Sequence, residues 1–158
     1  MKLYIKEKVF TWGDQFTVKD AYGNDKYVVE GEVFTLGKKL HVYDTLGREV
    51  AFIKQELMTF LPCFAVYAGG REIGRVQKEF SFLVSRYSIE GLDWDIEGSF
   101  WEHEYQITQN GLPIVTISKE WMTWGDSYEL DIADPADEIL ALAVVLTIDC
   151  VHEAQNNH

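Results

Sequence analysis

A chain of 158 residues, 47% apolar and 14% aromatic, has the size of one domain and enough apolar matter for one sizeable core, which excludes a disordered or low-complexity protein. Three prolines and two cysteines exclude collagen-like and disulfide-scaffold classes. Fourteen basic against twenty-six acidic residues leave a formal charge of -12, a poor footprint for a phosphate backbone, so nucleic acid is disfavoured as a partner.

The charge is unevenly spread. Residues 1–119 hold all fourteen basic side chains and seventeen acidic ones, whereas residues 120–158 hold nine acids and no base. The C-terminal stretch reads as solvated acids around an apolar segment, with docking onto a basic partner or a cation as the functional alternative. At the other end, Met1-Lys2-Leu3-Tyr4-Ile5-Lys6-Glu7-Lys8 alternates polar and apolar residues. It predicts a strand, not a secretory signal peptide. With Cys63 and Cys150 the only cysteines, the expected compartment is the cytoplasm, with both thiols reduced and buried as small apolar groups.

The dominant period along the chain is two, broken by turns. Phe16, Val18 and Asp20 lead into Tyr22-Gly23-Asn24-Asp25, and Tyr27-Val28-Val29-Glu30-Gly31 returns; Leu40, Val42 and Asp44 lead into Thr45-Leu46-Gly47, and Val50, Phe52 and Lys54 return. The two hairpins share a loose Phe/Leu-x-Val-x-Asp-x-x-Gly unit displaced by 24 residues. Gly69-Gly70 and Asn110-Gly111 predict two more hairpins, because these residues tolerate the positive φ that tight turns demand. Residues 80–84, 87–89 and 94–98 read as further short strands. About a dozen strands result.

Thr11-Trp12-Gly13-Asp14 and Thr123-Trp124-Gly125-Asp126, each followed by a variable residue, an aromatic, a variable residue and a branched aliphatic, form a sharper repeat 112 positions apart. A Gly-Asp turn with a Trp covering the end of the core is one use of this unit; Trp12 and Trp124 as the aromatic rims of a ligand pocket is the other.

One helix is predicted. Asp134 stands at its N-cap, Pro135 at its first position and Asp137 and Glu138 in its first turn, all favourable beside unpaired N–H groups. The run 139–151 is apolar on every face, so the helix must be surrounded. Its thirteen residues reach only about 20 Å, against about 30 Å for a hydrocarbon core, and Asp149 interrupts it, which disfavours integral membrane insertion. A helix threaded through a closed barrel of strands satisfies both the helix and the sheet edges.

The duplicated Thr-Trp-Gly-Asp segments, Phe80-Ser81-Phe82, residues 100–107, Ile117-Ser118-Lys119-Glu120-Trp121 and residues 137–143 together resemble the bacterial branch of the LURP-one-related proteins, over essentially the whole chain. That family sits with the tubby C-terminal domains and phospholipid scramblases. The resemblance implies a twelve-stranded barrel around a hydrophobic C-terminal helix and, through the tubby relatives, binding of phosphoinositides by a basic surface pocket.

Catalytic patterns are sparse. No Gly-x-Ser-x-Gly elbow, Walker loop or Gly-x-Gly-x-x-Gly is present, and no cofactor is expected. His103, between Glu102 and Glu104, suits a general base or a metal ligand, but on a strand its neighbours would point to the opposite face, leaving a structural or surface histidine. Asp131, Asp134, Asp137 and Glu138 lack calcium-loop spacing and are mostly explained by capping. The densest basic groups are Lys38-Lys39 and Arg71 with Arg75 and Lys78, solvated cations by default and phosphate head-group contacts otherwise. The expected protein is therefore a single mainly β domain over residues 1–158, a closed barrel of about twelve strands around the C-terminal helix. It is a non-enzymatic cytoplasmic binding or scaffold protein for a protein or small-molecule ligand. The alternative is a peripheral phospholipid-binding module, and an enzyme comes third.

Overall fold

The computed structural model describes residues 1–6, 15–32, 36–78, 86–123 and 125–156. Twelve strands precede one α-helix among them: β1 (Lys2–Lys6), β2 (Gln15–Lys19), β3 (Asp25–Gly31), β4 (Lys39–Asp44), β5 (Glu49–Gln55), β6 (Cys63–Ala68), β7 (Arg71–Lys78), β8 (Arg86–Glu90), β9 (Trp94–Ser99), β10 (Glu104–Gln109), β11 (Leu112–Met122), β12 (Gly125–Ile132) and α1 (Glu138–Asn156). The four predicted hairpins are β2/β3, β4/β5, β6/β7 and β10/β11. The strand expected at 80–84, Trp12 and Trp124 lie outside the described residues.

The sheet is antiparallel and ordered β1-β12-β11-β10-β9-β8-β7-β6-β5-β4-β3-β2. β1 pairs with β12 over five positions, Lys2↔Asp131 to Lys6↔Ser127, and with β2 over two, Tyr4↔Lys19 and Ile5↔Val18. Alternation decides which residues face inward. Leu3 lies opposite Leu130, Val29 opposite Val42, Ile53 opposite both Leu40 and Val66, and Ile107 opposite both Ile96 and Val115. All are buried and meet one cluster with the helix.

Because the pattern is apolar on every side, α1 has no solvated face along its middle: Ala141 to Leu146, Thr147 and Ile148 are all at most 2% exposed. The one polar group in this run, the Thr147 hydroxyl, donates to the Ala143 carbonyl at 2.7 Å and needs no external partner. The helix differs from expectation at both ends. Pro135–Asp137 form a 3-10 turn, in which the Asp134 carboxylate accepts from the Ala136 N–H at 3.0 Å, and the α-helix continues past Val151 to Asn156. The apolar run stops there, but Glu, Ala and Gln are good helix formers.

Antiparallel alternation gives the sheet two ends. The connections 20–24, 45–48, 69–70, 91–93 and 110–111 lie at one, the turn end, with the start of α1; the connection 56–62, the approach to Lys39 and the turn 100–103 lie at the other, the loop end, where α1 finishes.

Candidate functional site

Two carboxylates fix the helix in its sheet. Glu138, at its start, accepts from the Tyr27 hydroxyl and lies 2.5 Å from the Lys26 Nζ. Asp149, near its end, accepts from the Tyr128 hydroxyl and lies 3.2 Å from the His103 Nε2. Eleven residues separate them, three full turns to within about 20°, so both project from one face about 16 Å apart. The His103 and Tyr128 rings stack with centroids 4.0 Å apart and planes within 1°. Burial, then the charge and hydrogen bond of Asp149, push the Tyr128 hydroxyl well above its ordinary pKa. Burial likewise pulls His152 down to about 4, with Asp149 opposing and His103 and Lys78 reinforcing.

His103 is thus not a strand residue. The 3-10 turn Phe100–Glu102 ends on it in the left-handed conformation, φ 51°, and the reversal between β9 and β10 turns its imidazole toward the helix. Asp149, Tyr128 and His103 hold one another and seat α1, which is structural work. Among the described residues no three His, Cys, Asp or Glu side chains gather into a metal-binding group. Cys63 and Cys150 are both buried and form no disulfide.

The basic residues singled out in the sequence separate. Arg71 is exposed beside the Gly69-Gly70 turn, at the turn end. Lys38 belongs to the loop end: its N–H donates to Gln55 Oε1 at 3.1 Å and its carbonyl accepts from the Gln55 N–H at 2.8 Å. Lys39 lies directly opposite Lys54, Lys54 opposite Ala65, and Ala65 opposite Arg75, which makes a cross-strand row. Arg75 is engaged by Glu72 at 2.7 Å and Glu56 at 3.9 Å. Lys78 closes β7 at the loop end, its N–H donating to the Pro62 carbonyl at 3.2 Å. Lys54, which sequence spacing did not group with the others, therefore joins Lys38, Lys39 and Lys78.

Beside these lysines the loop end carries bare apolar side chains. Leu36 is 83% exposed, Leu57 47%, Met58 fully and Phe60 96%. The two loops touch, since a Cβ added at Gly37 would stand 3.1 Å from the Leu57 Cδ2. Met58 holds φ 65°, a left-handed conformation that an unbranched apolar residue gains nothing by adopting in water. The available signal was Leu57-Met58-Thr59-Phe60-Leu61-Pro62, a connection between two alternating strands that is apolar where loops are usually polar.

A second feature crosses the outer face. His41, Phe52 and Tyr67 lie side by side on β4, β5 and β6, with ring centroids 4.8 and 5.8 Å apart. Burial alone would lower the His41 pKa, but hydrogen bonds to Glu49 and Glu32 and the charges of both outweigh it and raise it.

Three comparisons with known proteins bear on this chain. Residues 1–149 match the model of the LURP-one-related family. The uncharacterized protein YxjI of Bacillus subtilis is 34% identical over 151 residues, covering 96% of this chain and 93% of its own. A protein of Arabidopsis thaliana solved by X-ray crystallography shares the fold with a TM-score of 0.65 at 17% identity, over 96% of this chain and 90% of its own.

Proposed function

The chain belongs to the LURP-one-related family, and we propose that it works without catalysis, as a cytoplasmic binding or scaffold protein that meets its partner at the loop end. The sheet acts in this reading as a closed barrel, sealed through the short β1–β2 seam, with the walled-in helix as the rigid mandrel of a docking surface. The observation that carries the reading is the cluster of Leu36, Leu57, Met58 and Phe60, exposed together, whereas most other apolar side chains among the described residues are buried in or packed against the core around α1. That the polar contacts of Asp149 are used in seating the helix supports it. No described helix is long and apolar enough to cross a membrane. The test is an unbiased lipid and metabolite retention screen on purified protein, repeated with Met58→Ser/Phe60→Ser. Retained ligand should disappear in the double variant at unchanged melting temperature; retention that ignores the substitution overturns the reading.

One observation favours peripheral phospholipid binding as the second reading: Lys38, Lys39 and Lys78 share the loop end with Lys54. Arg71 contributes nothing to that group, and Arg75 enters it already paired with acids. Head-group contact by these cations alone would be lost by about 0.15 M salt, where the Debye length is about 8 Å, and Lys38→Ala/Lys39→Ala should weaken it more than Arg71→Ala.

A further inference from the structure

Resting on the docking reading above, we propose that the occupant of the loop end is a bilayer carrying anionic lipid, entered by the tips of Leu36, Met58 and Phe60 while Lys39 and Lys54 face its head groups.

Shape is the first argument. Met58 and Phe60 are almost wholly exposed, so they project as knobs instead of lining a concavity. A small apolar ligand needs a pocket that covers most of its surface. A protein partner needs a socket matched to each knob, whereas a bilayer accepts apolar knobs without a preformed match. The knobs are also held as a unit, because Lys38 bonds both ways with Gln55, Glu56 N–H donates to the Cys63 carbonyl at 2.9 Å, and Gly37 packs under Leu57.

Charge is the second. Lys39 and Lys54 sit directly opposite each other in register, a like-charged pair that is unfavourable in isolation, and neither forms an ion pair among the described residues. An anionic surface supplies the missing counter-charge. The acids in this sector, Glu30, Glu32 and Glu56, are engaged by Gln15, His41 and Arg75. The net charge of -12 does not forbid the approach, because much of it lies elsewhere. Asp20, Asp44, Asp93 and Asp134 sit at the turn end, and a seven-residue strand such as β5 puts them about 23 Å away, nearly three Debye lengths at physiological salt. Glu102, Glu104 and Asp126, at the loop end but across the sheet, tilt the molecule so that β4–β7 lead. Apolar entry together with a basic rim is the two-signal combination that makes peripheral attachment stable.

The test uses the full chain and sedimentation with phosphatidylcholine vesicles, with and without about 30% phosphatidylserine, at about 0.15 M salt. Binding to the anionic vesicles should persist at this salt, in contrast to head-group contact alone, and soluble glycerophosphoserine should not compete. Met58→Ser/Phe60→Ser should lower partitioning at least about tenfold at unchanged melting temperature, and Lys39→Gln or Lys54→Gln about fivefold each. In a Phe60→Trp variant the indole emission should shift to the blue and be quenched by acyl-chain-brominated lipid. Wild-type-like sedimentation of the double variant, or an unmoved indole emission when the Phe60→Trp protein is bound, overturns the proposal. So does absence of vesicle binding; if a soluble ligand is then retained through Met58 and Phe60, the docking reading survives this failure, and if retention ignores those residues both fall.

Discussion

At the turn end, Asp20 accepts from the N–H groups of Tyr22 and Asn24, and Asp44 from those of Leu46 and Arg48, all at 2.9 Å, so that two hairpins 24 residues apart are locked by the same i+2 and i+4 bonds. Those backbone bonds hold both carboxyls below the ordinary carboxylate range. The loop end has no such economy between β5 and β6: seven residues connect the strands, an apolar residue sits in a left-handed conformation, and three apolar side chains, Leu57, Met58 and Phe60, meet solvent beside Leu36 of the preceding connection. The turn end does expose Tyr22, Leu46 and Leu112, but one to each of three hairpins. One end is thus optimised for folding, and the other departs from what folding alone would select, which is where function is expected in a locally consistent sequence.

The largest effect should come from the element both ends share. Val145 is fully buried, and Val145→Asp places an uncompensated carboxylate in a dry core, at a cost of several kcal/mol against a total stability of about 5–15 kcal/mol. Insoluble or unfolded protein is expected; a soluble variant with unchanged melting temperature would show that α1 is not enclosed. Next comes Gly98→Ala. Its Cβ would meet the Tyr105 Cβ at 2.6 Å with φ at 141°, and clash plus strain should cost about 2–3 kcal/mol by chemical denaturation.

Asp149→Ala should cost about 1–3 kcal/mol, because the buried Tyr128 hydroxyl loses its acceptor. Glu138→Ala should cost less, because the Tyr27 hydroxyl it would leave is less deeply buried than that of Tyr128, and equal losses would mean that the two anchors are equivalent. A pH series separates two histidines by sign. His152 is neutral in the fold, with its pKa pulled from 6.5 to about 4, so the unfolded chain binds the extra proton between these values. Stability should therefore fall as pH drops from about 6.5 to about 4, by about 2 kcal/mol or less because the ring is partly solvated, and the slope should flatten in His152→Leu. His41 runs the other way, since its raised pKa stabilises the fold at low pH and that contribution is lost as pH rises through it. The smallest effect belongs to Asp44→Ala, a slight drop in melting temperature with vesicle binding intact; a loss of binding would break the division between the ends.

Much of this architecture was legible in the chain. Alternation with Asp-x-x-Gly, Gly-Gly and Asn-Gly turns located the four hairpins, because strand period and turn chemistry are both local. A helix apolar on every face could only be interior. What escaped was non-local. His103 was placed on a strand because nothing nearby marks a 3-10 turn ending in a left-handed residue, and its partner Asp149 lies 46 positions away. Lys54 joins Lys39 through cross-strand register, which no spacing in the chain reveals. Asp149 did carry a signal, a lone acid in an apolar helix that must find a partner when buried.

The order in which the elements leave the ribosome has its own consequence. The Met1 amine donates to the Ile132 carbonyl, 131 positions later, and β1 finds its β12 partner only when nearly every other strand exists. The helix that fills the interior follows all twelve described strands in the chain. At about 5–20 residues per second, the nascent strands wait on the order of ten seconds with their apolar faces unfilled. Translation stalled before Gly125 would leave a sticky sheet without its mandrel, an aggregation seed and not a smaller folded protein.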